Sequence, residues 1–364
     1  MLIFLLLIVM IAFIDLKAAK PGEYFDSYMS KESTNAVNGL FVLLIFISHA
    51  VTYIKPSGVL DEAYLTFKSN MAQLVVVSFL FYSGYGIMES VKSKGQAYVR
   101  SIPFKRFFKV YYRLFICVCI FLLLNLIIRK HYDLKTVLLA FTGWTAVGNS
   151  NWYIFAILVL YAITFVSFMI FKKRLWLGAA LTTVLSAAFV IAQIKLGRST
   201  WTYNTIMLYP TGMIFSLIRE PFEKVVKKND ELWFSAVGLI AVGTAVLHYT
   251  EVQNIATYSL WAIFFMMLVV LVTMKIQIRN PVLSWFGSHV FSVYMLQRLP
   301  MIFLKHVGFN QSHKYAFILI CFVVTVVLSQ LFEYAVEKTD RLIFRKKADT
   351  AAKQQPKLSE SADM

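Results

Sequence analysis

The sequence predicts an all-α fold, a polytopic bundle of transmembrane helices, on three observations. Of 364 residues, 59% are hydrophobic and only 15% are charged, with a mean hydropathy of +0.66. Soluble domains carry about 25% charged residues, so this chain has too little charge to cover the surface of the soluble domains its length would allow. The apolar residues are also gathered into runs near the roughly 20 residues that a helix needs to cross a bilayer. Finally, the basic residues sit in short clusters between those runs, the pattern that sets membrane orientation. The net charge of +17 is therefore read as topology, and nucleic acid is not an expected partner. Aromatic residues at 16% suit lipid-packed helices with belts at the membrane interfaces.

Eleven stretches qualify along the chain: 2–16, 37–54, 71–89, 110–128, 152–171, 175–194, 201–218, 232–248, 256–274, 283–303 and 315–335. The first is short. It has no basic region before it and no small-residue cleavage site after Leu16, so it reads as a retained helix rather than a signal peptide. The stretch 136–148 is apolar but too short to span, and it holds Gly143 and Gly148, which points to a re-entrant or interfacial segment. With the N-terminus outside and the spans alternating, 26 of the 36 basic residues fall on inner segments. The expected location is therefore a cell membrane, with the N-terminus outside and the C-terminus cytoplasmic. The chain divides into 1–34, an N-terminal helix and cytoplasmic loop; 35–340, the main membrane domain; and 341–364, a basic tail that should be disordered from Ala348. Cys117, Cys119 and Cys321 all lie inside apolar runs and read as small buried residues.

Chemistry must then reside in the bundle or at its mouths, and ionisable groups within spans are the first candidates. His49 sits in the outer third of its span. Asn38 lies eleven residues earlier, a separation of about three full turns and about 16.5 Å, so the two share a helix face. A histidine satisfied by a neighbouring helix would carry the same signature. Phe81-Tyr82-Ser83-Gly84-Tyr85-Gly86 combines hydroxyls with small residues that let helices approach, and close packing alone would explain it. Arg106, Lys109 and Arg113 fall at i, i+3 and i+7. Such a stripe at the inner mouth suits phosphate groups, or it serves topology alone. In the tenth span Tyr294, Gln297 and Arg298 lie at about the depth of His49. No metal-ligand spacing, nucleophile elbow, phosphate loop or dinucleotide fingerprint is present.

Taken in order, these motifs resemble the membrane-integral acyltransferase-3 family over about residues 35–339. The family's opening helix carries a basic residue, often followed by Gly, and a His eleven positions after the basic residue; here Asn38-Gly39 and His49-Ala50 occupy those places. Its Phe-Ile-Ser-Gly stretch is similar to Phe81-Tyr82-Ser83-Gly84, and its spaced basic pair to Arg106-Phe-Phe-Lys109. Its aromatic start to a middle helix is similar to Asn151-Trp152-Tyr153, its Gly-x-x-Ser-Tyr run to residues 287–297, and its closing Glu-Lys-Pro to Glu337-Lys338-Thr339. Asn38, Val290, Gln297 and Thr339 depart from the usual Arg, Ser, His and Pro.

The resemblance implies about ten core helices with one added N-terminal helix, and a membrane-bound O-acyltransferase. Acyl-CoA, expected to be acetyl-CoA, would be the donor, and a cell-surface or lipid-linked glycan of the exopolysaccharide type the acceptor. Membrane lipid is the third expected partner, and no metal is implied. His49 would be catalytic, as base or as acyl carrier. Arg106, Lys109, Arg113 and Asn38 would bind the donor. Tyr82, Ser83, Trp152, Tyr294 and Gln297 would stabilise the oxyanion or position the acceptor. A glycan-lipid flippase, without acyl chemistry, is the alternative from another functional class.

Overall fold

The computed structural model describes residues 1–250 and 254–340. The expected disordered tail, 341–364, lies outside the described residues. The helices are α1 (Leu2–Phe13), α2 (Lys31–Ala50), α3 (Val59–Met71), α4 (Val77–Ile102), α5 (Lys109–Ile127), α6 (Leu134–Ala140), α7 (Trp152–Phe171), α8 (Leu175–Lys195), α9 (Leu208–Val226), α10 (Asp230–Tyr249), α11 (Ile255–Lys275), α12 (Pro281–Ser288), α13 (Val290–Leu296), α14 (Arg298–His306), α15 (Phe309–Ser312) and α16 (Lys314–Asp340). Two short strands, β1 (Leu16–Ala18) and β2 (Ile276–Ile278), pair antiparallel with Leu16 opposite Ile278. Among the described residues, seven regions are long and apolar enough to cross a membrane: Lys31–Tyr53, Leu74–Ile127, Trp152–Phe171, Leu175–Lys195, Asp230–Tyr249, Ile255–Lys275 and Lys314–Asp340. The protein is therefore a multi-pass membrane protein, helical apart from the two short strands. The region Leu74–Ile127 carries α4 and α5 and so covers two of the expected crossings.

Three expected spans take a different form. The first stops at Phe13, and twelve residues rise only about 18 Å. The chain then turns at Asp15, which has a positive φ of 58°, and enters β1, while the Asn280 side chain donates to the Ile11 carbonyl at 2.9 Å. The stretch 201–218 begins in a short 3₁₀ turn, and the helix proper, α9, runs from Leu208 to Val226. Pro210 has no N–H and its ring would clash with the carbonyl four residues earlier, so it belongs in the first turn of a helix and not in its interior. The stretch 283–303 is broken into α12, α13 and α14. The Ser288 hydroxyl donates to the Trp285 carbonyl at 2.8 Å, and His289 Nδ1 also lies 2.8 Å from that oxygen. Side chains that crowd a helix carbonyl in this way bend the helix. Pro300 withholds the amide that the Leu296 carbonyl would need, and the second break follows directly after Leu296.

The segment expected as a loop between the third and fourth spans is also helical. α4 continues to Ile102, bending at Gly95 where φ is +54°, and a π-helical turn over Pro103–Phe108 leads into α5.

Two helix crossings fix the centre of the bundle. A Cβ on Gly39 would stand 1.9 Å from the Leu283 carbonyl oxygen, and one on Gly287 would stand 1.8 Å from that of Asn35. Backbone therefore lies directly on backbone where α2 meets α12. The same holds for α4 and α9, where Gly84 faces the Tyr209 carbonyl and Gly212 faces that of Phe81. Small residues at such crossings are how helices gain contact in lipid, where no hydrophobic force drives them together. The first crossing sets α2, which carries Asn38 and His49, against the helix run that carries Tyr294.

Candidate active site

A cavity of about 750 Å³ lies among α2, α4, α7 and α13 and opens at the end of the bundle where α2 begins. Lys31, Glu89 and Arg106 line that end, and Asn38, Tyr82, Ser83, Tyr153, Tyr161 and Tyr294 line the interior. Lys31, Asn38 and His49 lie seven and eleven residues apart along α2, which keeps them on one face and puts His49 about 27 Å from Lys31. Five of the expected site residues thus meet in one space: Asn38, Tyr82, Ser83, Arg106 and Tyr294.

The mouth is charged and the interior is rich in hydroxyls. Arg106 donates through Nε to the Tyr98 hydroxyl at 3.0 Å, and its guanidinium lies 5.9 Å from that ring's centroid. Among the described residues it makes no ion pair, and it lines the cavity mouth. The Glu89 carboxylate accepts from the Ser216 hydroxyl at 2.6 Å and from Lys92 at 2.8 Å. Arg219 donates to the Tyr85 hydroxyl at 2.7 Å and pairs with Glu223, which also accepts from Tyr28 at 2.8 Å. Burial pushes the Glu223 carboxyl up, but its hydrogen bonds from Arg219, Tyr28 and Lys227 outweigh that and hold it below the usual range. Within the cavity, the Ser83 and Tyr161 hydroxyls are 3.2 Å apart. Asn38 Oδ1 and the Tyr82 hydroxyl are buried with no hydrogen-bond partner among the described residues.

The other expected site residues stand apart from the cavity lining. Lys109 pairs with Asp340 at 2.8 Å; Arg113 pairs with Glu333 at 3.0 Å and Asp340 at 3.4 Å, and it lies over the Phe291 ring. The stripe expected from α-helical spacing is therefore split. A π turn advances fewer degrees per residue than an α turn, which rotates Arg106 away from the face of Lys109 and Arg113. Trp152 packs edge-on against Tyr153, and it is Tyr153 that reaches the cavity. Gln297 is fully buried; its amide donates to the Tyr294 carbonyl at 3.1 Å, and its Oε1 has no partner. His49 meets the cavity through Tyr294, its imidazole centroid 6.3 Å from that ring, and its Nδ1 is buried with no partner.

Sequence reasoning missed Lys31, Tyr153 and Tyr161. For Lys31 a signal was available: a cation in the first turn of α2 opposes the helix dipole, and it lies two turns before Asn38 on the same face. Tyr153 stood in the Asn151-Trp152-Tyr153 motif, from which Trp152 was taken as the site residue, and no signal distinguished Tyr161 from a packing aromatic.

The bundle thus encloses a chamber with Lys31, Glu89 and Arg106 at one end and Tyr294, beside His49, at the other. The profile of the acyltransferase-3 family, described as an acyltransferase domain, matches residues 33–334. The chain belongs to that family and is a membrane acyltransferase. No curated protein and no solved structure matches it.

Proposed function

We propose that the protein moves an acyl group, expected to be acetyl, from cytosolic acyl-CoA to a hydroxyl of a cell-surface or lipid-linked glycan. The observation that carries this reading is the single cavity that runs from Lys31 and Arg106 to Tyr294 beside His49. Coenzyme A is polyanionic, and two cations at one mouth suit its phosphates. The excess of basic residues at that end supports assigning it to the cytoplasm. The face of α2 that Asn38 shares with His49 offers the path along which the acyl arm would reach the histidine.

At the far end the acceptor oxygen attacks the thioester carbonyl carbon and the carbon–sulfur bond breaks. The hydroxyl proton passes to the His49 imidazole and then to the departing thiolate, leaving an ester and free coenzyme A. Hydroxyls near Tyr294 and Tyr82 are donors available to the developing oxyanion.

The test uses purified protein in lipid nanodiscs and then in sealed vesicles. Radiolabelled acetyl-CoA should bind saturably, and label should enter glycan when donor and glycan are supplied on opposite sides. A protein that does not bind acetyl-CoA has another donor. Transfer seen only with both on one side would refute the threading path.

A further inference from the structure

The connection between α6 and α7 contains two buried side chains that this reaction leaves unused. After a turn at its start, side chains hold much of its backbone. Asn125 of α5 donates to the Val147 carbonyl at 2.7 Å, and Asn151 donates to the carbonyls of Gly143 and Thr145 at 2.7 and 2.9 Å. Arg198 donates to the Trp144 carbonyl at 3.0 Å and stacks over the Trp144 ring, 4.3 Å from its centroid. The Val147 amide donates to Asn149 Oδ1 at 3.1 Å. Gly148, at a φ of +114°, is seated against Phe121 and Ile302, which a Cβ would meet at 3.2 and 3.1 Å.

So anchored, the segment buries Asn149 and Ser150, which are 0% and 5% exposed. Among the described residues, neither Asn149 Nδ2 nor Ser150 Oγ has a hydrogen-bond partner. Ser150 lies three residues before Tyr153, and the Tyr294 hydroxyl is likewise buried with no hydrogen-bond partner among the described residues. The Tyr294 ring stands 5.9 Å from that of Tyr153 and 6.3 Å from His49. Buried polar groups are normally paired. Here a loop held by a set of side-chain hydrogen bonds keeps two of them unpaired just before Tyr153, which lines the cavity, the arrangement of a preorganised binding site. The free groups are an amide donor and two hydroxyls. All are neutral, and the hydroxyls both donate and accept, which matches adjacent hydroxyls of a sugar ring.

We infer that Ser150 and Asn149, with Tyr294, bind the acceptor sugar through the hydroxyls that flank the one being acylated, and so select the position that is modified. This rests on the proposed transfer to a glycan.

The test uses the full chain in nanodiscs, radiolabelled acetyl-CoA, and the glycan fraction extracted from the envelope of the source cells. Ser150→Ala should raise the apparent KM for glycan roughly tenfold, the scale of one lost hydrogen bond, and leave the KM for acetyl-CoA unchanged. Ser150→Thr, which keeps the hydroxyl, should restore it. Asn149→Asp, which removes the amide donor with little change of shape, should redistribute the label among ring hydroxyls. Unchanged acceptor kinetics and label position in all three variants overturn the assignment. Equal losses for donor and acceptor, or a lowered melting temperature that tracks the activity loss, make the loop structural and overturn it as well. A wild-type protein that transfers no label refutes the glycan-acylation reading itself, and the acceptor assignment with it.

Discussion

Replacing Gly39 with Ala tests whether backbone contact between α2 and α12 sets the active-site geometry. The new Cβ would stand 1.9 Å from the Leu283 carbonyl oxygen and 2.7 Å from its carbon. A tolerated C–H···O contact is about 3.3 Å, so the helices must part by more than about 1 Å. Both atoms met are backbone, so no rotamer change relieves the clash. Forcing extra volume into a packed contact costs about 1–3 kcal/mol, which a bundle of this size can absorb. The catalytic effect should be larger in proportion, because α2 carries His49 while the run that follows α12 carries Tyr294. Misplacement by about 1 Å costs about a hundredfold in rate. Gly39→Ala should therefore insert and fold, melt a few degrees lower, and transfer label from acetyl-CoA about a hundredfold more slowly. Gly287→Ala strains the same crossing, and the double variant should be less than additive, because one separation relieves both clashes. Gly238→Ala is the control: its Cβ enters open space on exposed α10, where the change should favour the helix by up to about 1 kcal/mol. Activity within threefold of wild type for Gly39→Ala would refute the reasoning, since the crossing would then not control the distance between His49 and Tyr294.

Arg106→Gln and Lys31→Gln should each raise the dissociation constant for acetyl-CoA roughly tenfold, the scale of a charge-assisted contact. Lys109→Gln and Arg113→Gln should leave it unchanged while Arg113→Gln lowers the melting temperature; equal weakening by all four would reinstate the continuous stripe. His49→Ala and His49→Gln should both abolish detectable transfer, given a base contribution of about 10²–10⁴, with acetyl-CoA binding retained; substantial activity in the Gln variant would make His49 an orienting residue. The depressed Glu223 carboxyl should stabilise the mouth above its unfolded value of about 4.3, and this contribution should disappear as pH falls through that value and below. Glu223→Gln should therefore flatten the melting temperature against pH over that acidic window, and an unchanged slope would remove Glu223 from the account.

The sequence by itself determined the membrane class, the position of most of the crossings, and the face shared by Asn38 and His49. Each follows from local quantities: the length of apolar runs, the sparsity of charge, and the fixed angle and rise per helical residue. It also made Gly39, Gly84 and Gly287 visible as motif positions, although not the carbonyls they accommodate. Tertiary structure decided the rest. It broke the tenth span at His289 and after Leu296, because competing side-chain donors and a proline act on particular carbonyls that run length does not register. It separated Arg106 from Lys109 and Arg113, because a π turn changes the phase of a stripe and because Glu333 and Asp340, more than two hundred residues away, supply partners for the two that turn outward. It also brought Tyr294 against His49 and Tyr153. These three residues come from distant parts of the chain, and no periodicity of any one segment encodes their meeting.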